Sequence, residues 1–182
     1  MIIGITGTLG AGKSTIVELL KKKGFKHYSA RALINEEIKK RNMPLNRDSM
    51  IIVGNDLRKN HSPSYIAEQL YAMAKKSGGD SVIESLRTLG EIEALRKKGR
   101  FYLFAVDADP KIRYSRVIQR ASESDKISYA KFLEDEKRSS SSNDPNGQNA
   151  LACMQVADFN ILNNSSLEDL SKKLEEIWNR IK

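Results

Sequence analysis

The chain has 182 residues, 40% hydrophobic and 30% charged, with a formal net charge of +8. That length favours one domain with a sizeable core, and no apolar run approaches the roughly 20 residues that a membrane-spanning helix needs. The single cysteine, Cys153, excludes an internal disulfide and fits a reducing, cytoplasmic setting.

MIIGIT is a short apolar run ending near a glycine and predicts a buried strand. It lacks the basic and long apolar regions of a secretory leader, so none is expected. Residues 13–23 place Ile16, Leu19 and Leu20 on one helical face, with lysines in the last turn, where the helix dipole favours cations, and Gly24 as a stop. A strand at 26–29 follows, then helices over 30–42, 47–59 and 63–77. The Ser-Gly-Gly-Asp turn at 77–80 leads into the strand SVIES. A helix over 88–98, a strand over 101–106 and a helix from Pro110 to about Arg120 come next. Residues 121–147 are polar and charged, with one helix expected over 127–138. Residues 148–156 read as helix and 158–162 as strand. The last helix is expected to open on a capping box, Ser165 with Glu168, and carries Leu167, Leu170, Leu174, Ile177 and Ile181 at helical spacing.

Strands alternate with helices throughout. That order predicts an α/β chain: a five-stranded, mainly parallel sheet with helices on both faces, in a single domain over residues 1–182. Lysine pairs at 39–40, 75–76, 97–98 and 172–173 recur on many helices. They read as solvated faces, so a phosphorylated small molecule is the expected partner and nucleic acid a lesser one. Cys153 lies among apolar residues and is expected in the core.

The loop Gly7-Thr8-Leu9-Gly10-Ala11-Gly12-Lys13-Ser14, followed by Thr15, satisfies G-x-x-x-x-G-K-[ST] between a predicted strand and a predicted helix. Glycines let backbone N–H groups close on phosphate oxygens, and the helix adds the positive end of its dipole. Lys13 is placed to reach the β- and γ-phosphates of ATP, and Ser14 to offer a hydroxyl to Mg²⁺. No guanine-reading N-K-x-D follows the last strand, which ends ILNN. The chain is too short for a large mechanical ATPase. A small kinase with an acceptor site and an arginine-bearing lid is what remains.

MIIGITGTLGAGKSTIVELLKKKGF and ADFNILNNSSLEDLSKKLEEIW resemble the first and last segments of dephospho-CoA kinases. GNDLR at 54–58 and VIESLRTLGEIEALR at 82–96 are similar to the archaeal relatives of those enzymes and to deoxynucleotide kinases of phage type. The resemblance to the nucleoside monophosphate kinase group of P-loop kinases covers most of the chain. It implies a three-layer fold with a helical acceptor wall over about 31–77 and a lid over about 120–147. It implies Glu84 near Mg²⁺ and Arg87 on the acceptor phosphate, with Asn55 and Arg58 beside it. Arg116 and Arg120, one helical turn apart, are implied at the lid entrance, with Arg113 and Arg138 as weaker lid candidates and Asn163 and Asn164 near the adenine.

Where dephospho-CoA kinases carry Asp-Ala-Asp, this chain has Ser29-Ala30-Arg31. No carboxylate is placed there to deprotonate an alcohol, whereas a phosphate acceptor needs no strong base and suits Arg31. His27 and His61 lack metal-ligand spacing. The expected reaction is ATP-dependent phosphoryl transfer to a nucleoside or deoxynucleoside monophosphate. Dephospho-CoA as acceptor, or a nucleotide-switch ATPase acting on RNA or protein, are the alternatives. Monomer and homodimer stay open.

Overall fold

The apolar opening forms β1 (Ile2–Gly7), whose alternating side chains are buried on both faces. In the computed structural model, which describes residues 1–120 and 127–182, four further strands flank it: β2 (Lys26–Ser29), β3 (Ser81–Glu84), β4 (Phe101–Asp107) and β5 (Phe159–Leu162). Their order is β2-β3-β1-β4-β5, and every neighbouring pair is parallel. Only crossover connections join parallel neighbours, so helices must cover both faces.

Each face has its own core. Ile3, Ile5, Val82, Phe104 and Val106 pack with α1 (Lys13–Lys22) and α9 (Leu167–Ile181). Ile83, Phe101 and Leu103 pack with α2 (Ala30–Lys40), α3 (Arg47–Asn60), α4 (Tyr65–Ser77), α5 (Leu89–Arg96) and α8 (Ala150–Gln155). Cys153 is buried in this second core, and burial pushes its thiol up to about 12, which leaves it unreactive. Among the described residues no helix is long and apolar enough to cross a membrane.

Two caps differ from expectation. α9 is capped by Ser166, which accepts from the Asp169 N–H at 3.2 Å, one residue beyond the expected Ser165–Glu168 box. The Ser165 and Ser166 hydroxyls both bond Asp169 and hold its carboxyl below the usual range. The full capping box instead opens α5, where Thr88 and Glu91 bond each other's backbone N–H groups.

The expected lid includes residues 121–126, which lie outside the described residues. Its helix, α7 (Tyr129–Ser140), docks on α6 (Pro110–Gln119) through fully buried Phe132, which stacks among Tyr114, Tyr129 and the Arg113 guanidinium. Arg113 also pairs with Glu136 of α7. Charges of opposite order join α7 to the start of α3: Arg47 meets Asp135 at 3.3 Å and Arg138 meets Asp48 at 2.9 Å.

Candidate active site

β1 ends at Gly7 and α1 begins at Lys13, so the intervening loop opens at the carboxyl edge of the sheet. Two glycines are required by close approach. Gly7 has φ +133°, and a Cβ there would lie 2.0 Å from the Val106 carbonyl oxygen; at Gly12, φ +99°, it would lie 2.3 Å from Asn163 Nδ2. The loop is tied from several sides. Thr8 Oγ1 donates to Asp107 Oδ1 at 2.5 Å, and Asn163 Nδ2 donates to the Ala11 carbonyl at 2.8 Å. Arg113, only 3% exposed, donates to the Ala108 carbonyl at 2.7 Å and to the Leu9 carbonyl at 3.3 Å. Arg113 therefore braces the loop from behind and does not face a phosphate site from the lid.

Lys13 folds back on its own loop, donating to the Thr8 carbonyl at 2.6 Å and the Gly7 carbonyl at 3.2 Å. Its ammonium is pushed down to about 7, first by burial, then by the charges of Arg87, Arg120 and Arg31, with Glu84 pulling the other way. Lys13 and Arg87 both donate to the Gly7 carbonyl and so stand side by side at the loop. Arg120 is exposed, and Arg31, at the start of α2, also touches Met50 Sδ. Arg87 donates from Nη1 to the Gly7 carbonyl at 3.0 Å, directly beside the loop. Burial presses its guanidinium below its ordinary value, and the Arg58 guanidinium adds to that.

Glu84 stands at the end of β3, next to β1 in the sheet. Burial raises its carboxyl, but the hydrogen bond from His27 and the charges of Lys13 and Arg87 outweigh it, so the group lies below the ordinary range and is ionised. His27 Nε2 is 3.1 Å from Glu84 Oε2. Ser85, between Glu84 and Arg87, has φ +73°, a strained conformation for a residue with a Cβ. Ser14, at the start of α1, carries a hydroxyl and Glu84 an ionised carboxylate, oxygen donors of the kind that Mg²⁺ takes.

The remaining expected residues scatter. Arg116 donates from Nη1 to the Asn163 carbonyl at 2.9 Å, at the loop after β5, and is not among the cations that depress Lys13. Asn164 Oδ1 accepts from the Asp109 N–H at 2.7 Å, so Asn163 and Asn164 both serve the backbone around the loop. Arg58, expected on the open acceptor wall, is 1% exposed and paired with fully buried Glu91 at 2.9 Å. The burial of α3 against α2 and the β3–α5 turn explains this inward direction. Asn55, one turn earlier on α3, has its Oδ1 buried without a partner. Glu91, His27 and Asp107 were missed by sequence reasoning. Only Glu91 had a local signal, the Thr88-x-x-Glu91 spacing.

Comparison with known proteins gives a consistent grouping. A UPF0200 protein of Pyrococcus horikoshii is 27% identical, covering 100% of this chain and 97% of its own length. A UPF0200 protein of Methanocaldococcus jannaschii is 28% identical, covering 100% and 90%. TT1252 from Thermus thermophilus is similar in structure with a TM-score of 0.64 at 19% identity, covering 100% of this chain and 98% of that one. Shikimate kinase from Bacteroides thetaiotaomicron is similar with a TM-score of 0.55 at 15% identity, covering 98% of each. At such identities the two structures speak to the fold alone, and that fold is the one of P-loop kinases. A family model described as an AAA domain matches residues 3–145, and the chain belongs to that family.

Proposed function

We propose that the protein transfers the γ-phosphoryl group of Mg²⁺-ATP to the phosphate of a nucleoside or deoxynucleoside monophosphate. The observation that carries this reading is that Lys13 and Arg87 both donate to the Gly7 carbonyl, two cations side by side at the loop where a polyphosphate is to be bound. The loop takes the donor phosphates, with Lys13 between the β- and γ-phosphates. Arg87 and Arg31 take the acceptor phosphate, and Arg120 adds charge from the lid side. Ser14 and Glu84 would hold Mg²⁺, which would supply neutralisation of the charge on the transferring group. An acceptor phosphate oxygen forms the new bond to phosphorus as the bond to the β-phosphate oxygen breaks and ADP leaves. The nucleophile is already anionic, so no proton needs removing.

An alcohol acceptor such as dephospho-CoA would need a base. Ser29-Ala30-Arg31 supplies none, and the nearby imidazole of His27 is already bonded to Glu84. ADP release from Mg²⁺-ATP, measured with nucleoside and deoxynucleoside monophosphates, dephospho-CoA and shikimate added singly, tests the reading. Strong stimulation by one monophosphate, with its diphosphate detected, is expected. Stimulation by an alcohol alone would reassign the acceptor. A flat panel over slow hydrolysis would point to a nucleotide switch.

A further inference from the structure

Glu91 is a charged side chain with no exposed surface and no place in the chemistry above. Its Oε2 accepts from the backbone N–H of Arg87 at 2.7 Å and of Thr88 at 3.1 Å. Its Oε1 accepts from Arg58 Nε and Nη2, both at 2.9 Å. One carboxylate therefore spans from the turn that carries Arg87 to the last turn of α3. The Arg87 carbonyl, in turn, accepts from the Asn149 N–H at 2.8 Å. The backbone of Arg87 is held on both sides while its side chain bonds the donor loop.

Stability does not explain the pair. A buried ion pair is often no better than apolar residues of the same volume. Here it is worse than ideal, because Arg58 Nη1 is buried without a partner. A helix cap alone does not explain it either, since Gln at the same position caps equally well without needing a buried cation. What the carboxylate adds to the cap is a fixed distance between Arg87 and α3.

We infer that Glu91, with Arg58, is a positioning residue that couples the acceptor wall at α3 to the aim of Arg87. This rests on the reading of Arg87 as the acceptor-phosphate ligand. A ligand that settles against α3 moves Arg58, Arg58 moves Glu91, and Glu91 carries the Arg87 backbone with it. The donor loop receives only the side-chain end of that chain, so donor binding is insulated.

Four variants test the inference: Arg58→Met, Glu91→Gln, the two together, and Arg58→Lys. The double variant keeps the cap and removes the ion pair, so it should unfold within a few degrees of the parent. With the acceptor that stimulates ADP release, the double variant should raise the acceptor KM about tenfold or more while the ATP KM stays within about twofold. Arg58→Lys, which restores one bond to Glu91, should recover part of that split. Equal rises in both KM values, or no rise, would overturn the coupling. A second readout does not depend on turnover: amide hydrogen exchange at Arg87 and Thr88 in the double variant, which leaves no buried charge unpaired. Loss of about tenfold in protection there, at unchanged global stability, supports the coupling even if the parent's acceptor panel is flat, in which case only the kinase reading fails. Retained protection sinks the coupling whatever the panel shows.

Discussion

The donor loop and the acceptor wall differ in how completely their polar groups are satisfied. Around the loop, Thr8, Ala11, Lys13, Arg113 and Asn163 all find close partners. On the acceptor side, Asn35 Oδ1, Asn55 Oδ1 and Arg58 Nη1 are buried and unpartnered, and among the described residues these are the atoms so placed; all lie on α2 and α3. A saturated loop has its backbone preorganised, and only the Lys13 ammonium has to leave the Thr8 and Gly7 carbonyls to meet a phosphate. An unsaturated wall has hydrogen bonds still to make, and a ligand or ordered water that makes them gains more there than on a surface already paired. On the proposed function, the difference teaches that donor recognition is built into the folded chain, whereas acceptor recognition is completed on binding.

The contrast can be broken most sharply at Lys13. Lys13→Ala should lower transfer by about a thousandfold or more, with folding intact, because a preorganised charge at the transferring group is lost. Residual transfer near the parent rate would remove Lys13 from the mechanism. Gly7→Ala should come next and act through the fold. Its Cβ would meet the Val106 carbonyl, so a loss of about 3 kcal/mol in chemical denaturation is expected; an unchanged midpoint would mean the strand shifts freely.

Arg87→Ala should raise the acceptor KM by about thirtyfold, roughly 2 kcal/mol, and change the ATP KM far less. Equal changes would move Arg87 to the donor side.

Lys13 also sets a sign for pH. Its pKa in the folded protein, about 7, is below the ordinary 10.5. Between those values the unfolded chain binds more protons than the folded one. This group's contribution therefore increases stability as pH rises from 7 towards 10.5, and its penalty is fully present below 7. Triphosphate binding restores the charge. Calorimetry at pH 8 in buffers of different ionisation enthalpy should show uptake of a substantial fraction of a proton, and Lys13→Met should abolish it.

The smallest effect is expected at Ser85. Ser85→Gly should stabilise by about 1 kcal/mol, because glycine adopts φ +73° without strain. A destabilised variant would show that the Ser85 side chain contributes more than its backbone costs.

The same contrast governs what could be read from the sequence. The donor loop is a contiguous signal, and the strand and helix around it follow from short-range periodicity, so β1, the loop and α1 were legible. The braces on that loop were not, because Asn163 and Ala11 are 152 positions apart and Thr8 and Asp107 are 99 apart. Arg58 was legible as a charged residue in GNDLR but not in its direction. Helical spacing places it on a face, while burial of that face depends on Glu91, 33 positions away. His27 looked like an ordinary histidine because its partner Glu84 lies 57 positions on, across two parallel strands. The shift of the last cap from Ser165 to Ser166 is a choice between adjacent serines that local sequence does not decide.

The order of the sheet has a consequence for how copies of this chain meet. Both outer strands, β2 and β5, are only four residues long. Lys26 and His27 stand exposed on one of them. On the other, the Lys173 ammonium covers the Leu162 carbonyl at 2.6 Å, and the Arg180 guanidinium lies over the Phe159 ring. Short, positively guarded margins discourage a foreign strand from adding to the sheet. In a crowded solution, the chain is thereby less prone to grow into ribbons through the very hydrogen-bonding surfaces that parallel architecture leaves open.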